Sequence, residues 1–145
     1  YKQFNGTLSR LYPGVSDALA SLAQTDRPLV CITNKAAAFT EPLMHSLAIH
    51  SYFNLVIAGD TLAQKKPHPA QLLHAAQHFA IDSAECALIG DSISDIRAAR
   101  AARFRVVCMS YGYNHGVSLD ALTGEEQPDL VLDSLLDLPF TWFKH

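Results

Sequence analysis

A chain of 145 residues, 49% hydrophobic and 17% charged, has the size and makeup of one ordinary globular domain with a core of its own. Its net charge of -3, with Lys and Arg scattered, leaves no basic patch for nucleic acid, and no apolar run is long enough to span a bilayer, so neither a nucleic-acid nor a membrane partner is expected. Cys31, Cys86 and Cys108 each sit in an apolar run. Their odd count and the lack of C-x-x-C spacing argue against a disulfide framework or a zinc site and for reduced thiols in a cytoplasmic protein. The start shows no secretory pattern. It reads Tyr1-Lys2-Gln3 without an initiator Met, as a piece of a longer product or a processed terminus would.

In chain order, a Pro13-Gly14 turn precedes a helix over Val15–Gln24, with Val15, Leu19 and Leu22 at helical spacing. Leu29–Ile32 is a buried-strand candidate. Thr33-Asn34 follows as a natural cap for a helix running from about Ala36 to Ala48. Leu55–Ala58 is a second strand, and Pro69 opens a third helix through Leu72, Leu73, Ala76 and Phe79. Cys86–Ile89 is a third strand ending at Gly90-Asp91-Ser92, Ile93–Ala102 a helix, and Arg105–Met109 a fourth strand. Tyr111–Gly116 reads as a loop, Asp129–Leu132 as a last strand, and Ser134–Leu138 as a final helical turn. Strands alternating with helices predict an α/β fold: a parallel sheet covered on both faces, with ligands beyond the carboxyl ends of its strands.

The polar residues of interest fall at those ends. Asp91 directly follows an apolar strand, and Asp95 lies one helical turn further on, so both carboxylates can face one place. Paired carboxylates at a loop mouth suit a hard cation such as Mg²⁺; helix capping by Asp explains the same pair. At Ile32-Thr33-Asn34-Lys35, a hydroxyl and backbone N–H groups at a helix start could hold a phosphate oxygen, and capping accounts for Thr33-Asn34 equally well. In Lys65-Lys66-Pro67-His68-Pro69, a lysine stiffened by a following proline could neutralise a phosphoryl group; the alternative is a solvated basic loop. His68 reads as a turn residue, and His74 with His78 as a surface pair. Taken together, a Thr, a Lys and an Asp pair supply phosphate anchoring, charge neutralisation and metal ligation. A carboxylate nucleophile is lacking.

With these residues in order, the sequence resembles the haloacid dehalogenase superfamily. Ile32-Thr33-Asn34 is similar to its second motif, Lys66-Pro67 to its third, and Gly90-Asp91-Ser92-Ile93-Ser94-Asp95 to its fourth. Leu11-Tyr12-Pro13-Gly14-Val15, Gly59-Asp60-Thr61 and Tyr111-Gly112-Tyr113-Asn114 extend the likeness over nearly the whole chain. The last of these, with Lys66-Pro67-His68-Pro69, resembles the bacterial phosphoglycolate phosphatases. The resemblance implies a three-layer, Rossmann-like parallel sheet and a Mg²⁺-dependent phosphate-monoester hydrolase acting through an aspartyl-phosphate. The implied substrate is 2-phosphoglycolate or a similar small phosphorylated metabolite. By motif, Thr33 and the Asn34 backbone would hold the phosphoryl oxygens, and Lys66 rather than Lys65 would neutralise charge. Asp91 would bind Mg²⁺ directly, and Asp95 would support the metal site through water or hydrogen bonds.

The departures from the family pattern are specific. Gln3-Phe4-Asn5-Gly6-Thr7-Leu8 mimics the tail of the first motif, with Gln3 and Asn5 where its two aspartates would be, and neither amide can form an acyl-phosphate. Residues 1 to about 11 are therefore read as the end of a cap domain and its return linker, and 12–145 as a catalytic core without its central first strand. Most of the cap would be absent. That gap would lie between Leu29–Ile32 and Cys86–Ile89, exposing strand edges and inviting self-association. An upstream segment, a neighbouring molecule or direct approach of the two strands would close it. Arg103 stands where the related phosphatases usually have Gly after the helix, so a local backbone difference is expected. A catalytically silent interaction module and a sugar phosphomutase are the alternative functions, and this chain alone is expected to be inactive.

Overall fold

The computed structural model describes residues 14–110 and 124–138. The expectations for residues 1–11 and for Tyr111–Gly116 lie outside them. Within the described residues, 14–63 and 134–138 form one compact unit, and 64–110 with 124–133 form another.

The first unit contains α1 (Val15–Ala23), β1 (Val30–Ile32), α2 (Ala37–Ser46) and β2 (Leu55–Ile57), with 3-10 turns at His50–Tyr52 and Leu135–Asp137. Strands β1 and β2 pair in parallel, Val30 opposite Leu55 and Ile32 opposite Ile57. A parallel pair needs a crossover, and α2 supplies it. The core of this unit gathers Leu19 from α1, Met44 from α2 and Ile49, with Val15, Cys31, Tyr52, Phe53 and Val56 packed against them. Gly14 enters α1 at φ 84, a left-handed conformation that an L side chain rarely adopts. Asn54 fastens the start of the strand pair: its N–H donates to the Leu29 carbonyl, and its side-chain oxygen accepts from Leu29 N–H, both at 2.7 Å.

The second unit contains α3 (Ala70–His78), β3 (Ala87–Gly90), α4 (Ile93–Ala102), β4 (Arg105–Met109) and β5 (Leu130–Leu132). Its sheet has the order β3-β4-β5, all parallel, with Gly90 opposite Cys108 and Met109 opposite Leu132. The central strand is the buried one: Val106, Val107 and Cys108 are wholly enclosed. Helix α4 turns Ile96, Ala98, Ala99 and Ala102 inward, and the small alanines let its backbone lie close to the sheet. Arg100 clamps the entry to β5 through two hydrogen bonds to the Asp129 carboxylate, both 3.1 Å, and one to the Gln127 carbonyl. Burial alone would raise the Asp129 carboxyl, but Arg100 and the Val106 N–H hold it below the usual carboxylate range.

The α/β class with parallel strands and interleaved helices is therefore the fold observed, and α4 and β4 have the bounds expected from sequence. Strands β1, β2, β3 and β5 begin or end a residue away from the expected places. Among the described residues the strands pair as β1-β2 and β3-β4-β5. Every residue of β1 and β3 is only half-buried, in contrast to β4.

At the end of α4, the expected backbone difference is absent. Arg103 takes up the left-handed turn itself, at φ 65 and ψ 34, and Phe104 N–H closes it on the Ala99 carbonyl at 2.9 Å. The hydrogen-bonded closure holds an unfavourable residue in the geometry usually left to glycine. Arg103→Gly should therefore stabilise the fold by about 0.5–1 kcal/mol, the relieved strain exceeding glycine's greater freedom when unfolded. A rise in the urea midpoint at unchanged slope would register it.

Candidate functional site

The site is built around a carboxylate that the fold cannot leave unpaired. Asp95 is 5% exposed, and three donors converge on it. Lys66 Nζ donates to Oδ1 at 2.6 Å, while Asp91 N–H and the Ser92 hydroxyl donate to Oδ2 at 2.9 and 3.2 Å. Ser92 is the N-cap of α4, and its hydroxyl oxygen also accepts from Asp95 N–H at 3.4 Å, as an N-cap side chain does. Neither aspartate is the cap residue itself, as the capping alternative for this pair required. Burial pushes the Asp95 carboxyl up, but the Lys66 ammonium, the Asp91 N–H and the Ser92 hydroxyl outweigh it and hold the carboxyl below its ordinary value.

Gly90 makes this approach feasible. A Cβ at that position would lie 2.3 Å from Asp95 Oδ2 and 2.5 Å from its carboxyl carbon. The glycine is therefore fixed by the carboxylate's place rather than by its own backbone angles. On the lysine side, the Lys66 side chain is only 12% exposed and is anchored at both ends. Its backbone N–H donates to Gln71 Oε1 at 3.2 Å, and Gln71 is completely buried in the first turn of α3. Lys65 is exposed. Sequence reasoning missed Gln71, because a lone Gln in a helix carries no sign that it faces inward.

Thr33 and Asn34 belong to the first unit. Thr33 extends β1 by donating its N–H to the Ile57 carbonyl at 3.0 Å, and its hydroxyl oxygen accepts from Lys35 N–H at 3.1 Å. Contrary to expectation, neither residue caps α2. The N-cap is Ala36, with no side-chain acceptor, and Ala37 N–H donates to Asp60 Oδ1 at 2.9 Å. Gly59 lies against the same loop: its N–H donates to the Lys35 carbonyl at 2.8 Å, and a Cβ on it would meet the Asn34 carbonyl oxygen at 1.9 Å.

The structure thus brings Lys66, Asp91 and Asp95 together in one unit and sets Thr33 and Asn34 in a tightly held loop of the other. Among the described residues, no three His, Cys, Asp or Glu side chains gather to cage a metal ion. Mg²⁺ does not need such a cage, since one or two carboxylates with waters and substrate phosphate suffice. The oxygen donors of Asp91 and Asp95 fit it in kind. Their negative field is felt by Cys108: burial first, then Asp95 and Asp91, push its thiol up to about 12. His74 and His78 are exposed with ring centroids 6.4 Å apart, as a surface pair should be.

Residues 1–109 match the family model described as haloacid dehalogenase-like hydrolase. A phosphoglycolate phosphatase of Nitrosococcus oceani is 56% identical over 130 residues, covering 90% of this chain and 56% of that protein. The Escherichia coli K12 phosphoglycolate phosphatase is 41% identical, covering 88% of this chain and 49% of that protein. Among solved structures, a predicted phosphoglycolate phosphatase of Haemophilus somnus superposes with a TM-score of 0.84 at 31% identity, covering 90% of this chain and 56% of that one. The chain spans about half the length of the curated relatives it matches.

Because Asp95 titrates below 3.8 in the fold, the stability its charge contributes is present above that pH and is lost as pH falls through the lower, folded value. Asp95→Asn leaves the Lys66 ammonium buried without its counter-charge, at an expected cost of about 3 kcal/mol at pH 7. Urea unfolding at several pH values should show the gap between variant and wild type narrowing below about pH 4.

Proposed function

The chain belongs to the haloacid dehalogenase-like hydrolase family, and on that premise we propose that the protein containing it hydrolyses phosphate monoesters, with 2-phosphoglycolate or a similar small phosphorylated metabolite as substrate. The observation that carries this reading is the Lys66 ammonium, drawn to 2.6 Å from buried Asp95 one turn from Asp91. A cation fixed in this way is preorganised and needs no rearrangement to meet negative charge developing in a transition state. The phosphatase names of the relatives support the substrate class.

In the proposed reaction, a carboxylate oxygen attacks phosphorus and the ester P–O bond breaks. The alcohol leaves with a proton from a second carboxyl, and water then hydrolyses the acyl-phosphate. Thr33 and the Asn34 backbone hold the phosphoryl oxygens, and Lys66 balances charge on the nucleophile and the phosphoryl group. Asp91 would be the direct ligand for Mg²⁺, whose charge would offset that of the phosphoryl group. Asp95, with its oxygens given to Lys66, Asp91 N–H and Ser92, orients the lysine and the turn. The attacking carboxylate is not assigned to this chain, since residues 1 to about 11 are read as the end of a cap domain and its return linker rather than as the family's first motif. The cytoplasm is the proposed compartment, on the strength of three free cysteines.

For the full-length protein assayed with Mg²⁺ and 2-phosphoglycolate, Lys66→Ala should lower kcat by about a hundredfold or more, while Lys65→Ala stays near wild type. Asp91→Ala should raise the Mg²⁺ concentration needed for half-maximal rate. Near-native turnover of Lys66→Ala, or conversion of a sugar phosphate without net phosphate release, would overturn the hydrolase assignment.

Residues 1–145 alone should release no phosphate from p-nitrophenyl phosphate. We further propose that this chain self-associates through its sheet edges. Sedimentation should give a mass that rises with concentration; a compact monomer with a sharp, high-temperature transition would overturn the self-association.

A further inference from the structure

We propose that Asp60 is a positioning residue that sets the loop 33–37 for phosphate from outside it, an inference that rests on the assignment of that loop to the phosphoryl group. The loop cannot set itself. Its Thr33 hydroxyl is engaged with Lys35 N–H at 3.1 Å, and Ala36, at the N-cap of α2, has no side-chain oxygen to offer. The first helical N–H, that of Ala37, is taken instead by Asp60 Oδ1 at 2.9 Å, from 23 residues away in sequence.

Asp60 does not act on a slack segment. Its neighbour Gly59 donates its N–H to the Lys35 carbonyl at 2.8 Å, and any Cβ there would collide with the Asn34 carbonyl oxygen. On the other side of the loop, the buried Thr40 hydroxyl lies 3.2 Å from the Lys35 carbonyl and 3.0 Å from that of Ala36. Thr61 closes the bend behind, its hydroxyl oxygen accepting from Ala58 N–H at 2.9 Å. Consecutive residues 59 and 60 therefore hold two consecutive points of the loop, Lys35 C=O and Ala37 N–H, and the backbone between them has little freedom left.

The geometry and the charge of Asp60 act in opposite directions on an anion held by this loop. Its oxygen orders the loop, which favours binding by lowering the cost of ordering on contact. Its negative charge, favourable to the helix end in the empty protein, repels a phosphate dianion. A neutral acceptor of the same shape keeps the first effect and removes the second. This ordering is one that a merely stabilising surface residue would not produce.

The test uses the full-length protein and its Asp60→Ala and Asp60→Asn variants. The readouts are KM and kcat with p-nitrophenyl phosphate and calorimetric titration with inorganic phosphate. Asp60 is exposed, so neither substitution disturbs the core. Asp60→Ala should raise both KM and the phosphate Kd by about three- to tenfold, the range expected for a lost cap, with kcat changing less. Asp60→Asn should return both constants to the wild-type values or below. Unchanged constants in Asp60→Ala, or an Asp60→Asn as weak as Asp60→Ala, would overturn the positioning role. Wild-type protein that binds phosphate without hydrolysing the ester would sink the hydrolase reading alone, since the titration still judges Asp60. Wild-type protein that binds no phosphate would overturn the positioning role with it.

Discussion

A carboxylate taken out of water must find a cation and hydrogen bonds, or it will not stay charged. Asp95 meets that demand with Lys66 at 2.6 Å and two donors on its second oxygen, and much of the second unit's local structure follows from it. Residue 90 has to be glycine because the carboxylate occupies the space where a Cβ would be. Ser92 has to carry a hydroxyl because it serves both as helix cap and as donor to Asp95. Buried Gln71 holds the backbone of the lysine whose head Asp95 holds. Removing one member of a buried pair typically costs about 3–5 kcal/mol, a large share of a domain's total stability, so these residues stand or fall together.

The first unit solves a similar problem with backbone rather than charge. At the ends of both β2 and β3, a glycine lets another group come closer than any side chain would allow: the Asn34 carbonyl against Gly59, the Asp95 carboxylate against Gly90. In each case an aspartate follows directly. The roles then diverge. Asp60 gives its side-chain oxygen to the first N–H of α2, whereas Asp91 gives its backbone N–H to Asp95. The same dipeptide thus serves to fix a helix start in one place and to build an anionic centre in the other.

What the sequence made legible follows from how local each signal is. Helix α4 could be bounded to the residue because the Gly90-Asp91-Ser92 turn before it and the apolar run Arg105–Met109 after it are both adjacent in sequence. Strand β4 was equally plain, being an apolar run with turns on both sides. The choice of Lys66 over Lys65 also rested on a neighbour, Pro67, and Lys66 is the lysine that reaches Asp95. The failures were long-range. Thr33-Asn34 has the residue types of a cap, yet the acceptor for α2 comes from Asp60, and no local pattern announces a partner 23 residues away. Gln71 was missed for a related reason: it lies on the buried face of α3 with Leu72, Ala75 and Ala76, but the Lys66 N–H that its oxygen accepts from comes from outside the helix. Arg103 shows the converse, a residue flagged as wrong for its turn that adopts the turn regardless, because hydrogen-bonded closure and the packing of α4 decide the backbone there.

The charge balance at the end of β3 carries the chemistry one step further. Asp95 is paired with one firmly held lysine and Asp91 adds a second carboxylate one turn away, and the buried Cys108 thiol is pushed up to about 12, first by burial and then by those same carboxylates. A phosphate dianion approaching such a cluster would be repelled, since Lys66 is already engaged with Asp95. On the proposed reading, Asp91 would hold Mg²⁺, whose charge would offset the local excess of carboxylate, and Lys66 would steer the anion rather than neutralise everything alone. The direct Lys66–Asp95 pair is then less a spent charge than a way of keeping the ammonium in position before the anion arrives. A lysine left to solvent would have to be gathered from many rotamers at the moment of reaction, and this one has already been gathered by the fold.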